Sequence, residues 1–225
     1  MLNSKWEIEN SQQKTIMDST SHFPSMTGKN NQIYVDWSIE SIYNTFVSGF
    51  FPFIFQLGNI IMDRQQIGVK LAIDSLDLPF KVKTFQDRLI MQKAVYIAQA
   101  KGVNLGYFYH WYIYGPYSPS LTRDEFAIAA DIAADLDDSR GWKLDEKSSQ
   151  RLKEIRTIFS GPDRDALATK LELLASVHFL IDRKQVSKID TRQITTTLKR
   201  YNKDFSEHDV EGALEELQDY GLLAA

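Results

Sequence analysis

Four histidines, His22, His110, His178 and His208, carry the chemistry best suited to neutral pH, and no two of them stand at a metal-ligand spacing. A zinc site needs several converging imidazoles or thiolates. The chain has no cysteine, which also removes disulfides and cysteine nucleophiles. Asp131, Asp135 and Asp138 stand at i, i+4 and i+7, a spacing that would place three carboxylates on one helical face and begin a hard-cation site. A solvated acidic face near a helix end is the expected reading of that spacing. His178 falls on an apolar stripe and is expected as a hydrogen-bonded core residue. His110 lies among Tyr107, Tyr109, Trp111 and Tyr112, with no serine or carboxylate partner nearby in sequence. No catalytic residue, metal or cofactor is expected.

The aromatic run is bracketed by strong local signals. Phe85, Leu89, Ile90, Ala94, Ile97 and Ala98 recur at helical spacing from Thr84 to Ala100. Thr84 is the expected N-cap, Asp87 completes a capping box, and Gly102 offers a left-handed exit. Tyr107 to Tyr114 is too aromatic and too short for a further helix and reads as an extended segment packed on the preceding one. Tyr114-Gly115-Pro116-Tyr117-Ser118-Pro119 reads as a turn, with Ser118 capping the next helix and Pro119 opening it. Strand alternation separates Tyr107, Tyr109, Trp111 and Ile113 from Phe108, His110, Tyr112 and Tyr114. One set is expected in the core and the other at a partner. Gln92 is expected to hydrogen-bond the backbone of the Tyr-Gly-Pro turn. Lys93 either snorkels outward or contacts a partner.

Ile90 to Gln99, Ile-Met-Gln-Lys-Ala-Val-Tyr-Ile-Ala-Gln, resembles the Leu-Gln-Lys-Leu-Leu-Tyr-x-Ala-Gln helix of the Panacea family, which includes SocA-like antitoxins and phage-associated proteins. Tyr114 to Leu121 is similar to that family's Tyr-Gly-Pro-x-x-Pro-x-Leu signature, and the Tyr-Gly-Pro-Tyr-Ser form looks closest to its YwgA-like branch. Met91 departs from the usual leucine. The motif-dense likeness spans about 35 residues. It implies structural roles for Gln92, Tyr96, Tyr114, Gly115, Pro116, Pro119 and Leu121. It also implies a non-enzymatic, antitoxin-like or adaptor role, in which a protein partner, such as a toxin encoded nearby, is occluded. The expected partner-binding residues are Lys93, Tyr109, His110, Trp111 and Tyr117.

Across 225 residues, 43% hydrophobic and 25% charged residues suit a domain with a substantial core, and the net charge of −4 comes from interspersed acids and bases. A strongly basic nucleic-acid binder would differ. Residues 1–30 are polar, show no secretory signal and read as loosely attached. Ser41 to Met62 is uncharged but broken by Asn44, Gly49, Pro52, Gln56, Gly58 and Asn59, so a membrane span is not favoured. Residues 1–61 are therefore read as a poorly defined extension, native or an over-extended reading frame, and 62–225 as the helical domain. Helices are expected from Met62, over Leu121–Leu136, Lys147–Phe159 and Asp165–Arg183, then in two short helices capped by Asp190 and Ser206. That last pair has helix-turn-helix dimensions, which makes a DNA-binding regulator the alternative function. Glu207, Asp209, Glu211, Glu215 and Glu216 on its second helix carry the wrong charge for phosphates. The expected whole is a mainly α, cytoplasmic protein with a short aromatic strand or hairpin.

Overall fold

The computed structural model describes residues 62–161, 163–186 and 189–223, all within the unit Asn59–Ala225. The expectations for residues 1–61, including His22 and the uncharged stretch from Ser41, lie outside the described residues. Among the described residues no helix is long and apolar enough to cross a membrane.

A short polar side chain starts each α-helix by accepting a first-turn N–H that would otherwise lack a partner. Asp63 opens α1 (Arg64–Ser75) with Gln66 closing a capping box, and Thr84 opens α2 (Phe85–Ala100) with Asp87 doing the same. Ser118 caps α3 (Pro119–Ala133), whose first residue is the proline, and Asp145 caps α4 (Glu146–Ile155), which runs on into a 3₁₀ turn. Asp163 caps α5 (Arg164–Asp182), Asp190 caps α6 (Thr191–Arg200), and Ser206 caps α7 (Glu207–Asp219) with Asp209. Between α2 and α3 lies a two-stranded antiparallel hairpin, β1 (His110–Tyr112) and β2 (Gly115–Tyr117). The fold is mainly α with one small hairpin.

Thr84 Oγ1 accepts from Asp87 N–H at 3.1 Å, and Asp87 Oδ2 accepts from Thr84 N–H at 3.0 Å. Thr84→Ala removes half of that exchange and is expected to lower stability by about 1 kcal/mol, read as a shift of the urea midpoint at unchanged slope.

α2 is the centre of the molecule. Every residue from Leu89 to Ala98 is buried, as in a helix covered on all sides rather than one resting on a surface. It packs along α5, its largest neighbour, and also against α1, α3, α4 and β2. α7 also packs on α5, and α6 packs on α7.

Two readings are corrected. Gly115-Pro116 is strand rather than turn: the reversal falls at Ile113-Tyr114, and Tyr112 pairs with Gly115. Asp131, Asp135 and Asp138 do not share a helical face, because α3 ends at Ala133 and Asp135 adopts φ +58°. Asp135 instead pairs with Arg140 at 2.8 Å, and Asp138 accepts the Met62 N–H at 3.2 Å. No group of three His, Asp or Glu among the described residues could hold a metal ion.

Candidate protein-binding face

The hairpin's two faces have different fates. From Val103 to Tyr109 burial alternates residue by residue, with Val103, Leu105, Tyr107 and Tyr109 inside and Phe108 and His110 outside. Inside, the Tyr109 ring meets Tyr96 edge-on at 5.0 Å. Trp111, half-buried, lies 5.9 Å from Phe179 and 4.5 Å from Tyr201. Outside stand His110, Tyr112 and Tyr117, with the Tyr112 and Tyr117 rings 5.4 Å apart across the strands. Phe108 is 81% exposed and Ile113 62% exposed, while Tyr114 lies on Phe85 at 4.7 Å. Ile113 leaves the inner set because the reversal begins there and the two-residue repeat stops.

Beneath the hairpin is a buried polar layer. Gln92 clamps the chain between β2 and α3: its side-chain amide accepts Ser118 N–H at 3.0 Å and donates to Ser118 C=O at 3.2 Å. The same NH₂ reaches Thr122 at 3.0 Å and Glu125 at 3.3 Å. This matches the scaffold role expected of Gln92. Ser118 begins α3, so one side chain fixes where the strand ends and the helix starts.

Lys93 neither snorkels nor reaches a partner. It is 1% exposed and donates from Nζ to Pro116 C=O at 2.6 Å. Burial depresses its pKa to about 7, against the pull of Glu172 and Glu125 and with the push of Lys203. Lys203, also buried, is ion-paired to Glu172 and lies 5.8 Å from the Trp111 ring centre and 5.7 Å from that of Tyr114. Glu125 is fully buried, and desolvation pushes its carboxyl well above the usual range. The Glu125 Oε2 and Ser176 Oγ atoms have no hydrogen-bond partner. At one edge of the layer Asp87 is ion-paired to Arg164. Burial opposes ionisation of Asp87, but the Thr84 hydrogen bonds and Arg164 outweigh it and hold the carboxyl below its ordinary range.

His178 is the hydrogen-bonded core residue expected. Its Nε2 faces Leu222 C=O at 3.1 Å and its Nδ1 faces Tyr96 OH at 2.8 Å. A carbonyl only accepts, so Nε2 carries the proton and Tyr96 donates to Nδ1. Desolvation lowers the pKa of this imidazole.

Of the five residues expected at a partner, His110 and Tyr117 lie on the outer face and Trp111 is half-buried at the hairpin margin. Lys93 and Tyr109 are interior, a correction, because the even phase of the strand faces out and α2 is enclosed on every side. Phe108, Tyr112 and Ile113 belong to the exposed set and were not expected there as binding residues. The alternation already held Phe108 and Tyr112 apart from the Tyr109 set, and parity alone could have found them. Nothing in the sequence marks Lys203, Glu172 and Ser176, which reach the site from α5 and the α6–α7 connection.

The charges are unevenly distributed along the C-terminal part of the chain. Residues 183–203 contain seven Lys or Arg and a single acid, Asp190, whereas α7 carries six acids and no Lys or Arg.

Comparison with models of protein families, with curated proteins and with solved structures produced no match.

Proposed function

We propose that the chain is a non-enzymatic protein-binding module of the Panacea type, antitoxin-like or adaptor in character, working in the cytoplasm. It would occlude or deliver a protein partner through the outer face of the hairpin. The observation that carries this reading is the exposed set Phe108, Tyr112, Ile113 and Tyr114, all within the hairpin segment. Aromatic rings of this kind give large, rigid contact area and recur among interface hot spots. The layer below holds them in place: Tyr114 rests on Phe85, and Tyr117 OH accepts from Thr122 Oγ1 at 2.9 Å. The absence of cysteine accords with a reducing compartment.

Co-expression with the product of the adjacent gene tests the reading. The expected result is co-purification and relief of any toxicity, and Phe108→Ala or Tyr112→Ala is expected to weaken the complex by roughly tenfold or more. Phe108 is 81% exposed, so Phe108→Ala should retain the parent's thermal midpoint, whereas Tyr112→Ala also loses its cross-strand contact with Tyr117 and should lower stability by roughly 0.2–1 kcal/mol. A neighbour that neither binds nor is neutralised removes the basis for the proposal. For the alternative, DNA binding by α6 and α7, α7 would enter the groove with Glu207, Asp209, Glu211 and Glu215, which repel phosphates.

A further inference from the structure

The hydrogen-bonding phase of β1 is set by a proline. Trp111 pairs with Pro116, which has no N–H, so the ladder bonds fall on the flanking pairs His110–Tyr117 and Tyr112–Gly115. The N–H and C=O of Trp111 therefore point away from β2, toward an edge that no further strand among the described residues covers. Tyr109 and Tyr107 share that phase two and four residues back. At Tyr107 the edge is already occupied. The Gln99 side-chain amide donates to Tyr107 C=O at 2.9 Å and accepts its N–H at 2.9 Å. That reciprocal pair is what a residue of a neighbouring strand would make. Beyond it, the main-chain groups of Tyr109 and Trp111 have no hydrogen-bond partner among the described residues. The segment Leu105 to Tyr114 also lacks the features that blunt an exposed edge, since it contains no Lys, no other charged residue and no Pro.

The charge around this edge is net basic: Arg183 is offset by Asp182 at 3.5 Å and Lys203 by Glu172, while no acid among the described residues pairs with Lys199 or Arg200. Trp111 is flanked by Tyr201, at the end of α6 next to Lys199 and Arg200, and by Phe179, over which Arg183 lies at 5.5 Å. Along the sequence, residues 183–203 hold seven bases and one acid in a chain of net charge −4.

The geometry points to β1 as the acceptor of a third strand: an extended, acidic segment of a protein partner that pairs with the main chain at Tyr109 and Trp111. Main-chain bonds supply the attachment, as in strand addition generally. Phe108, His110 and Tyr112 project on the outer face at every second residue and take the partner's apolar side chains as cross-strand neighbours. Lys199 and Arg200 meet its acids. This mode rests on the protein-binding reading above and names the chemistry of the partner.

The test uses the full chain and a fluorescein-labelled peptide of alternating valine and glutamate. Saturable binding is expected by anisotropy, with slowed hydrogen exchange of the Trp111 amide by NMR. The matching valine–lysine peptide should bind at least tenfold more weakly, and so should the valine–glutamate peptide with every internal amide N-methylated. Equal binding of the methylated peptide overturns strand addition, and equal binding of the lysine peptide overturns the acidic partner. No binding up to millimolar peptide overturns both, and so does an oligothymidine that competes more strongly than the peptide. If the adjacent gene product co-purifies but leaves the Trp111 amide unprotected, this inference falls while the protein-binding reading stands.

Discussion

Gly115→Ala is expected to lower stability by about 3 kcal/mol or more. Gly115 adopts φ +81°, a region that costs an L-residue about 1–2 kcal/mol. A Cβ built there would also collide with Ser176 Oγ, a fully buried atom on α5. Overpacking of this kind adds roughly 1–3 kcal/mol, because a packed helix has little room to retreat. The two contributions separate in a double-mutant cycle. Ser176→Ala alone should be close to neutral or mildly stabilising, since the hydroxyl it removes is buried without a partner. In that background Gly115→Ala meets Ser176 Cβ at 3.5 Å and Cα at 3.7 Å, ordinary contacts, and should cost only the backbone contribution. Urea midpoints of the four proteins measure this. Equal losses in both backgrounds would show that the collision contributes nothing.

Lys93→Met is expected to flatten the dependence of stability on pH. The methionine keeps a similar length without a charge, in a site where the lysine is 1% exposed. The pKa of Lys93 is about 7 in the folded chain against 10.5 in the unfolded one. Below pH 7 both states hold the proton, and the folded state carries the whole cost of burying an ammonium. Between about 7 and 10.5 the unfolded chain binds more protons than the folded chain, so stability rises with pH. From pH 7 to pH 9 the wild type should therefore gain roughly 2–3 kcal/mol on the variant. Loss of the bond to Pro116 C=O lowers the variant by a pH-independent amount and leaves that slope untouched. Glu125 acts with the opposite sign. Its carboxyl is raised in the folded state, so its contribution is lost as pH climbs above the unfolded value of 4.5. Loss of the Lys93 ammonium also removes one of the charges that favour the Glu125 carboxylate, so the difference between the two profiles reports this coupled pair. Parallel stability profiles for the two would mean that Lys93 titrates as an exposed lysine does.

How much could be read before folding depends on the reach of each interaction. Thr84 with Asp87, and Ser206 with Asp209, are three residues apart, and both appear as capping boxes where the spacing places them. Ser118 and Pro119 start α3 for the same local reason. The split of the aromatic run into two faces was legible because alternation is a property of any extended chain, and it persists to Tyr112. Which face goes inward was not. It is set by Tyr96, Phe179 and Tyr201, drawn from three separate stretches of the chain. The acidic trio failed because i, i+4, i+7 presumes a helix that continues, and α3 stops at Ala133.

By itself, then, the sequence determined the helices and their starts, the extended aromatic segment with its two faces, and the clamp between Gln92 and the backbone after the Tyr-Gly-Pro signature. The helix starts and the two faces depend on neighbours within a few residues or on a single local repeat, whereas the Gln92 clamp joins residues 26 apart and was legible only from the polar position in the signature helix. Tertiary structure alone decided that Lys93 is buried beneath Pro116, that Glu172 and Lys203 join it there, and that Gly115 must be glycine because Ser176 approaches it. It also decided that Phe108, Tyr112 and Ile113 are left exposed. Burial is conferred by whatever packs on top, and for Lys93 that cover comes from β2 and α5, distant parts of the chain whose approach no local spacing encodes.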